Sequence, residues 1–428
     1  MKAKLQNILN RLLERGADHA SLRFENETKE EFNVIYQRLS FLRSVESASL
    51  SMYVIRDQRT ANTSINQFDD TSVEEAINTL FVNLDSGVPD PAFAISPYQE
   101  PRSWSKGPMQ PETDLIIERL NEFIAELKLK YPNLQYDATL SHVTWDSIYL
   151  NSNKVEFTDR MGCYGFSTIF TTKTGKRCSS MNYSFMNLKD LNTKLLDTPQ
   201  TEELIRQNTE QVETKPIPAN FKGAVIFAPQ VGIGVIYGFL NGQIGSFPFL
   251  SKSCKYPDHI GKQILDPKLT LKNAPDFEGF AAVSHVTSDG FVSEAATVID
   301  AGVLRHYPIN LYTANKCNMK RTTGMPTAFL VEAGHTPLAE MIPSIEQGIL
   351  LIRDSGDSPN SDGDVSFVAK NSYYIENGKI QYPISETMIA GNIVAWLNNI
   401  TAISSESYNN GSWQCPYLQV SGVDISRK

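Results

Sequence analysis

The chain opens with apolar residues at helical spacing. Leu5, Ile8, Leu9, Leu12 and Leu13 recur every three to four positions and Gly16 follows, which predicts an amphipathic helix over residues 5–16. Strand-like runs come next at residues 20–24, 31–37 and 48–55. The polar stretches 25–28 and 57–59 read as the turns of a hairpin or meander. Thr71 or Ser72 is placed to cap a helix that carries Val73, Ile77, Leu80 and Phe81 on one face. Residues 86–111 are rich in proline and predict a long polar loop. Pro111-Glu112-Thr113-Asp114 then starts a helix with Leu115, Ile116, Leu120, Phe123, Ile124 and Leu127, stopped before Pro132. Alternating, aromatic-rich runs at 136–143, 147–150, 155–159, 165–172 and 177–185 predict an antiparallel sheet.

Residues 187–220 are polar, contain Pro199, Pro216 and Pro218, and carry one helical segment at 201–207. They read as the connection between an N-terminal domain, 1–186, and a C-terminal domain, 221–428. The second half has short strands, many glycines and turn dipeptides, with Asn377-Gly378 a strong hairpin signal. Helices are expected there only at 231–240 and 338–347. The pattern as a whole is an α+β, two-domain protein: helices with an antiparallel sheet first, then a β-rich domain with few helices.

Composition narrows the function classes. Of 428 residues, 41% are hydrophobic and 20% charged, enough for a sizeable core. The net charge of −9, with only short basic runs, argues against direct binding of nucleic acid. A membrane span needs about 20 apolar residues. The longest apolar stretch, 231–240, falls well short and contains glycines. The N-terminus reads as a folded helix, not a cleavable leader, so a cytoplasmic location is expected. Five scattered cysteines with no C-x-x-C pair suggest free thiols, neither a disulfide framework nor a zinc ribbon.

Several segments of the second half occur in a telling order. They are Asp289-Gly290 with Asp300-Ala301-Gly302; Leu311-Tyr312-Thr313-Ala314-Asn315-Lys316 with Thr322-Thr323-Gly324; Glu332-Ala333-Gly334; Asp362-Gly363-Asp364; Glu376-Asn377-Gly378-Lys379; Ala390-Gly391-Asn392; and Pro416-Tyr417-Leu418 through Val423. In this order the chain resembles the TldD/PmbA family, also called modulators of DNA gyrase. The resemblance implies a two-domain fold and a dimer around a chamber. One kind of subunit in that family, TldD-like, is a zinc metallopeptidase with an HExxxH helix and a distant cysteine ligand. The other kind, TldE- or PmbA-like, lacks the motif and pairs with the first to degrade or trim small unfolded peptides.

The metal chemistry turns on the helix after the strand that ends in Pro229. Counting from that proline, Tyr237 and Gly242 stand where the histidines would be, Gly238 where the glutamate would be, and Asn241 lies between. A catalytic zinc needs about three lone-pair ligands and an open position. Residues 222–253 contain no His, Glu or Asp, so a small register error changes nothing. Cys415, just before Pro416, does not match the family's upstream cysteine ligand. No two of the six histidines lie within ten residues of each other. His285 near Asp289 is the most tempting pair, with an ordinary hydrogen-bonded histidine as the competing reading. His285, Asp289 and Asn315 are candidate peptide-cleft residues. Gly232-x-Gly234 with Gly238 imitates a dinucleotide loop but lacks the third glycine and the acidic partner. The acidic loop through Asp354, Asp357, Asp362 and Asp364 lacks the end residues of a calcium loop.

The expectation is therefore a metal-free subunit with no catalytic residue of its own and no cofactor, zinc being held only by a TldD-like partner. A homodimer that binds or regulates peptides without cleaving them, and an independent peptidase with a relocated site, are the alternatives.

Overall fold

The computed structural model describes residues 1–427. Two sheets organise it, an eight-stranded one from residues 19–188 and a thirteen-stranded one from residues 221–427. The α+β reading holds, with helices packed on the first sheet and a strand-rich second half.

The first helix, α1 (Lys2–Glu14), buries Leu5, Ile8, Leu9 and Leu12 and ends before Gly16 in a left-handed conformation. Strands β1 (His19–Ile35), β2 (Arg38–Arg56) and β3 (Arg59–Ile65) follow as consecutive hairpins. The stretch 25–28, expected to turn, does not. β1 runs straight through it, because β2 and β5 (Leu134–Asn151) supply hydrogen-bonding partners on both sides. The polar residues there point alternately from a strand and do not break it. The turn comes instead at Tyr36 and Gln37, both at positive φ.

Helix α2 (Asp70–Asp85) is capped by Asp69, whose carboxylate accepts the Ser72 N–H at 3.0 Å, and not by Thr71 or Ser72. The loop 86–111 contains a short strand, β4 (Arg102–Lys106), that pairs in parallel with β6 (Glu156–Thr174). Helix α3 (Thr113–Lys130) turns Ile116, Leu120, Phe123 and Leu127 inward. Phe123 meets Tyr136 and Phe166 edge to face at 5.8 and 5.3 Å. The separate runs expected between 136 and 172 are two long paired strands, β5 and β6. β7 (Arg177–Cys178) and β8 (Asn182–Leu188) complete the sheet.

The connecting segment is built into the core. Helix α4 (Thr201–Glu210) buries Leu204 and Ile205. Its Asn208 donates to Ser180 O and accepts from Thr172 and Ser179 hydroxyls. One apolar cluster runs from Phe123 and Phe166 through Leu204 to Ile226, Leu350 and Tyr373, so both halves share it.

In the second half β9 (Phe221–Phe227) is central, antiparallel to Trp413–Arg427 and parallel to Gln347–Leu351. It leads directly into α5 (Pro229–Phe239). The helix expected at 338–347 is only a turn, Leu338–Met341, then a 3-10 turn, Ile342–Ser344, and a strand from Gln347. Pro343 lacks the N–H an α-helix needs, and Gly348 pairs with Ala224 of β9 instead. Asn377 and Gly378 form the expected hairpin turn, both at positive φ. Among the described residues, no helix is long and apolar enough to cross a membrane.

Candidate functional site

β9 delivers the chain to α5 with Ala228 as N-cap and Pro229 in the first turn. This is favourable geometry, since proline has no N–H to leave unpaired there. The helix buries Val231, Gly232, Val235, Ile236 and Phe239. A side chain at Gly232 would press on Leu418 at 3.2 Å and Cys415 Sγ at 3.4 Å, so Gly232 serves close packing, whereas Gly234 faces open space. After Phe239 the chain continues as a wider π turn, Leu240–Ile244.

The slot residues lie along this segment. Tyr237 is half exposed and meets Phe329 edge-on at 5.8 Å. Gly238 faces Pro359. Asn241 falls in the π turn with Gly242. A phenol, an amide and two glycines do not fit zinc, which needs imidazole, thiolate or carboxylate donors. Among the described residues, no three His, Cys, Asp or Glu side chains gather so that they could hold a metal ion. Cys415 is fully buried, and burial pushes its thiol far above the ordinary range.

The other sequence candidates do not converge on α5. His285 pairs with Asp159, not Asp289. The Asp159 carboxylate lies 3.0 Å from His285 Nδ1, accepts its backbone N–H at 3.0 Å, and Trp104 stacks on the ring at 5.2 Å. Asp289 is held by Arg321 through two contacts of 2.7 and 2.9 Å, by the Thr287 hydroxyl at 2.7 Å and by Leu311 N–H at 2.8 Å. Burial raises its carboxyl, but Arg321 and these donors outweigh that and hold it below the usual carboxylate range. Asn315 is exposed and donates to Ala92 O at 3.0 Å. All three residues lie on segments that fasten the second half to the first.

A cavity of about 640 Å³ lies between the halves. Strand register builds its floor from two rows, Ser49–Glu25–Ser147–Asp159 and Ser47–Glu27–Trp145–Met161. Val283, Ser284 and Thr327 close it from the second half. Glu27 accepts the Trp145 indole N–H at 2.8 Å. Serines leave room beside the carboxylates, so the cavity offers hydrogen bonds and negative charge to an occupant. Sequence reading missed it because 25–28 looked like a turn. The alternation of Arg23, Glu25 and Glu27 was the available signal.

A strand passing through proline into a helix that closes on the last strand, in this two-sheet frame, defines a class. Residues 221–427 match the PmbA/TldA metallopeptidase C-terminal domain, and this half of the chain belongs to the PmbA/TldD family. The metalloprotease PmbA of Escherichia coli O157:H7 is 29% identical over 212 residues, 48% of this chain and 47% of that protein. A PmbA homologue of Haemophilus influenzae is 27% identical over 225 residues, 52% and 48% of the two chains. The match thus spans about half the length of these curated relatives. The whole fold is that of TldE from Thermococcus kodakarensis, at a TM-score of 0.83 and 17% identity over 99% of this chain and all of that one. A Bacteroides thetaiotaomicron protein crystallised as a candidate DNA gyrase modulator shares it at a TM-score of 0.87 and 20% identity, over 100% and 99% of the chains.

Proposed function

We propose that this chain is the metal-free subunit of a TldD/TldE-type peptidase, working in the cytoplasm as one half of a dimer. Its partner is a metal-bearing paralogue that supplies zinc and the hydrolytic chemistry. This chain completes the chamber and helps grip small, unfolded peptides. The observation that carries the reading is the residue set of α5 and the π turn after it: Tyr237 and Gly242 stand where the family's active subunits place histidine ligands, and Gly238 where they place the glutamate. The cavity floored by Glu25, Glu27 and Asp159 supports a binding role, since it gathers polar side chains around a concave volume between the halves.

Metal analysis of the purified chain, with peptide-cleavage assays, tests this. The isolated chain is expected to hold no stoichiometric zinc and to cleave nothing. Adding the paralogue restores cleavage, and a chelator abolishes it. Cleavage by the isolated, metal-free chain would refute the proposal. A stable homodimer that binds peptide but gains no activity from any paralogue would mark a peptide-binding regulator instead.

A further inference from the structure

The geometry points to a second site: the pocket around Arg353, beside the first turn of α5, binds a carboxylate. Arg353 begins the strand Arg353–Gly356 and is 8% exposed. Its Nε donates to Asn182 Oδ1 at 2.9 Å, its Nη2 donates to Tyr183 O, and the guanidinium lies 4.2 Å from the Tyr183 ring centroid. Every one of these partners is neutral. Among the described residues no carboxylate lies within 4.0 Å of Arg353, and its Nη1 makes no hydrogen bond. A buried cation without a counter-charge is costly, and nearly all such groups are paired.

The room for a counter-ion is there. Arg353 lines a cavity of about 410 Å³ with Gln230, Ser180, Ser355, Lys370 and Asp354. Lys370 is its cross-strand neighbour and adds positive charge, shared with Glu386 at 2.8 Å. Among the described residues Asp354 is the one carboxylate on the lining; it acts on Arg353 at longer range and does not reach ion-pairing distance. Gln230, second in α5, carries a buried Oε1 with no hydrogen-bond partner. The unbonded Nη1, together with the second hydrogen of Nη2, can take a carboxylate through two parallel hydrogen bonds. The unpartnered amide oxygen takes an N–H. A carboxylate with a neighbouring N–H meets both needs, and two sources carry that chemistry: the C-terminal residue of a peptide and a free small acid. The peptide source rests on the function proposed above; the carboxylate site does not.

Titration calorimetry on the isolated chain tests the site without any paralogue or cleavage. The probes are N-acetyl-trialanine as the free acid, its C-terminal amide, and acetate. The free acid is expected to bind at least tenfold tighter than the amide. Acetate binding as tightly as the free acid would support the site while identifying a small acid as its occupant. Equal binding of acid and amide, or no binding of either acid or acetate, would overturn the site, whatever the peptidase assays give. The variant R353M is expected to lose the preference for the free acid. Should R353M not fold, Q230E places a negative charge on the lining. It is expected to weaken the free acid at least tenfold, and unchanged affinity would overturn the proposal.

Discussion

Asp289 shows at a single residue how burial and pairing compete. Its side chain and that of Arg321 are 16% and 10% exposed, so the pair is largely desolvated. Removing one charge leaves the other buried and unmatched, which typically costs about 3 kcal/mol. D289N is therefore expected to lower the free energy of urea unfolding by about that amount at pH 7. Its folded carboxyl titrates below the unfolded value of about 3.9. The stabilisation is thus present above pH 4 and is lost as pH falls through the lower, folded value. Unfolding curves of wild type and D289N should converge below pH 4; a constant difference through that range would contradict the assignment. Residue identity at the α5 slot was legible in the sequence, because lone pairs belong to residue types. The partner of His285 was not, because Asp159 lies 126 positions away.

The elements differ from their sequence patterns wherever a neighbour decides. β1 reads as two runs with a polar break, yet pairing on both edges makes it one strand. The segment 338–347 reads as a helix, yet its last residue, Gln347, pairs with Glu376 and opens a strand that goes on to pair with β9 from Gly348. The loop around Gly290 is an element fixed by docking. Arg23 donates to Thr287 O at 2.6 Å, and Gln99 donates to Gly290 O at 2.9 Å. Gly290 has φ +79°, and a Cβ there would lie 2.1 Å from the Tyr149 hydroxyl. G290A is expected to cost about 2 kcal/mol or more, from the backbone and the clash together. Hydrogen exchange should then show faster opening of residues 284–292, with α1 unaffected. Unchanged exchange in that loop would contradict the docking role.

At the scale of the whole molecule, the two sheets are joined by a common apolar layer. Phe123 and Phe166 from the first half, Leu204 from the connection, and Ile226, Leu350 and Tyr373 from the second pack into it. F123A is expected to destabilise by about 3–5 kcal/mol. Because the layer is shared, calorimetry should show one transition for the chain, shifted as a unit in F123A. Two transitions, with only one moved, would contradict a common core.

The sequence by itself determined the amphipathic helices α1 and α3, the Asn377-Gly378 turn, the α+β character and the absence of metal donors along α5. Each of these depends on residue type and spacing within a few turns of chain. Tertiary structure alone decided the long strands, the packing of 187–220 into the core, the Asp159–His285 and Asp289–Arg321 pairs, and both cavities. Those depend on which distant segments meet, and local periodicity carries no information about partners far along the chain.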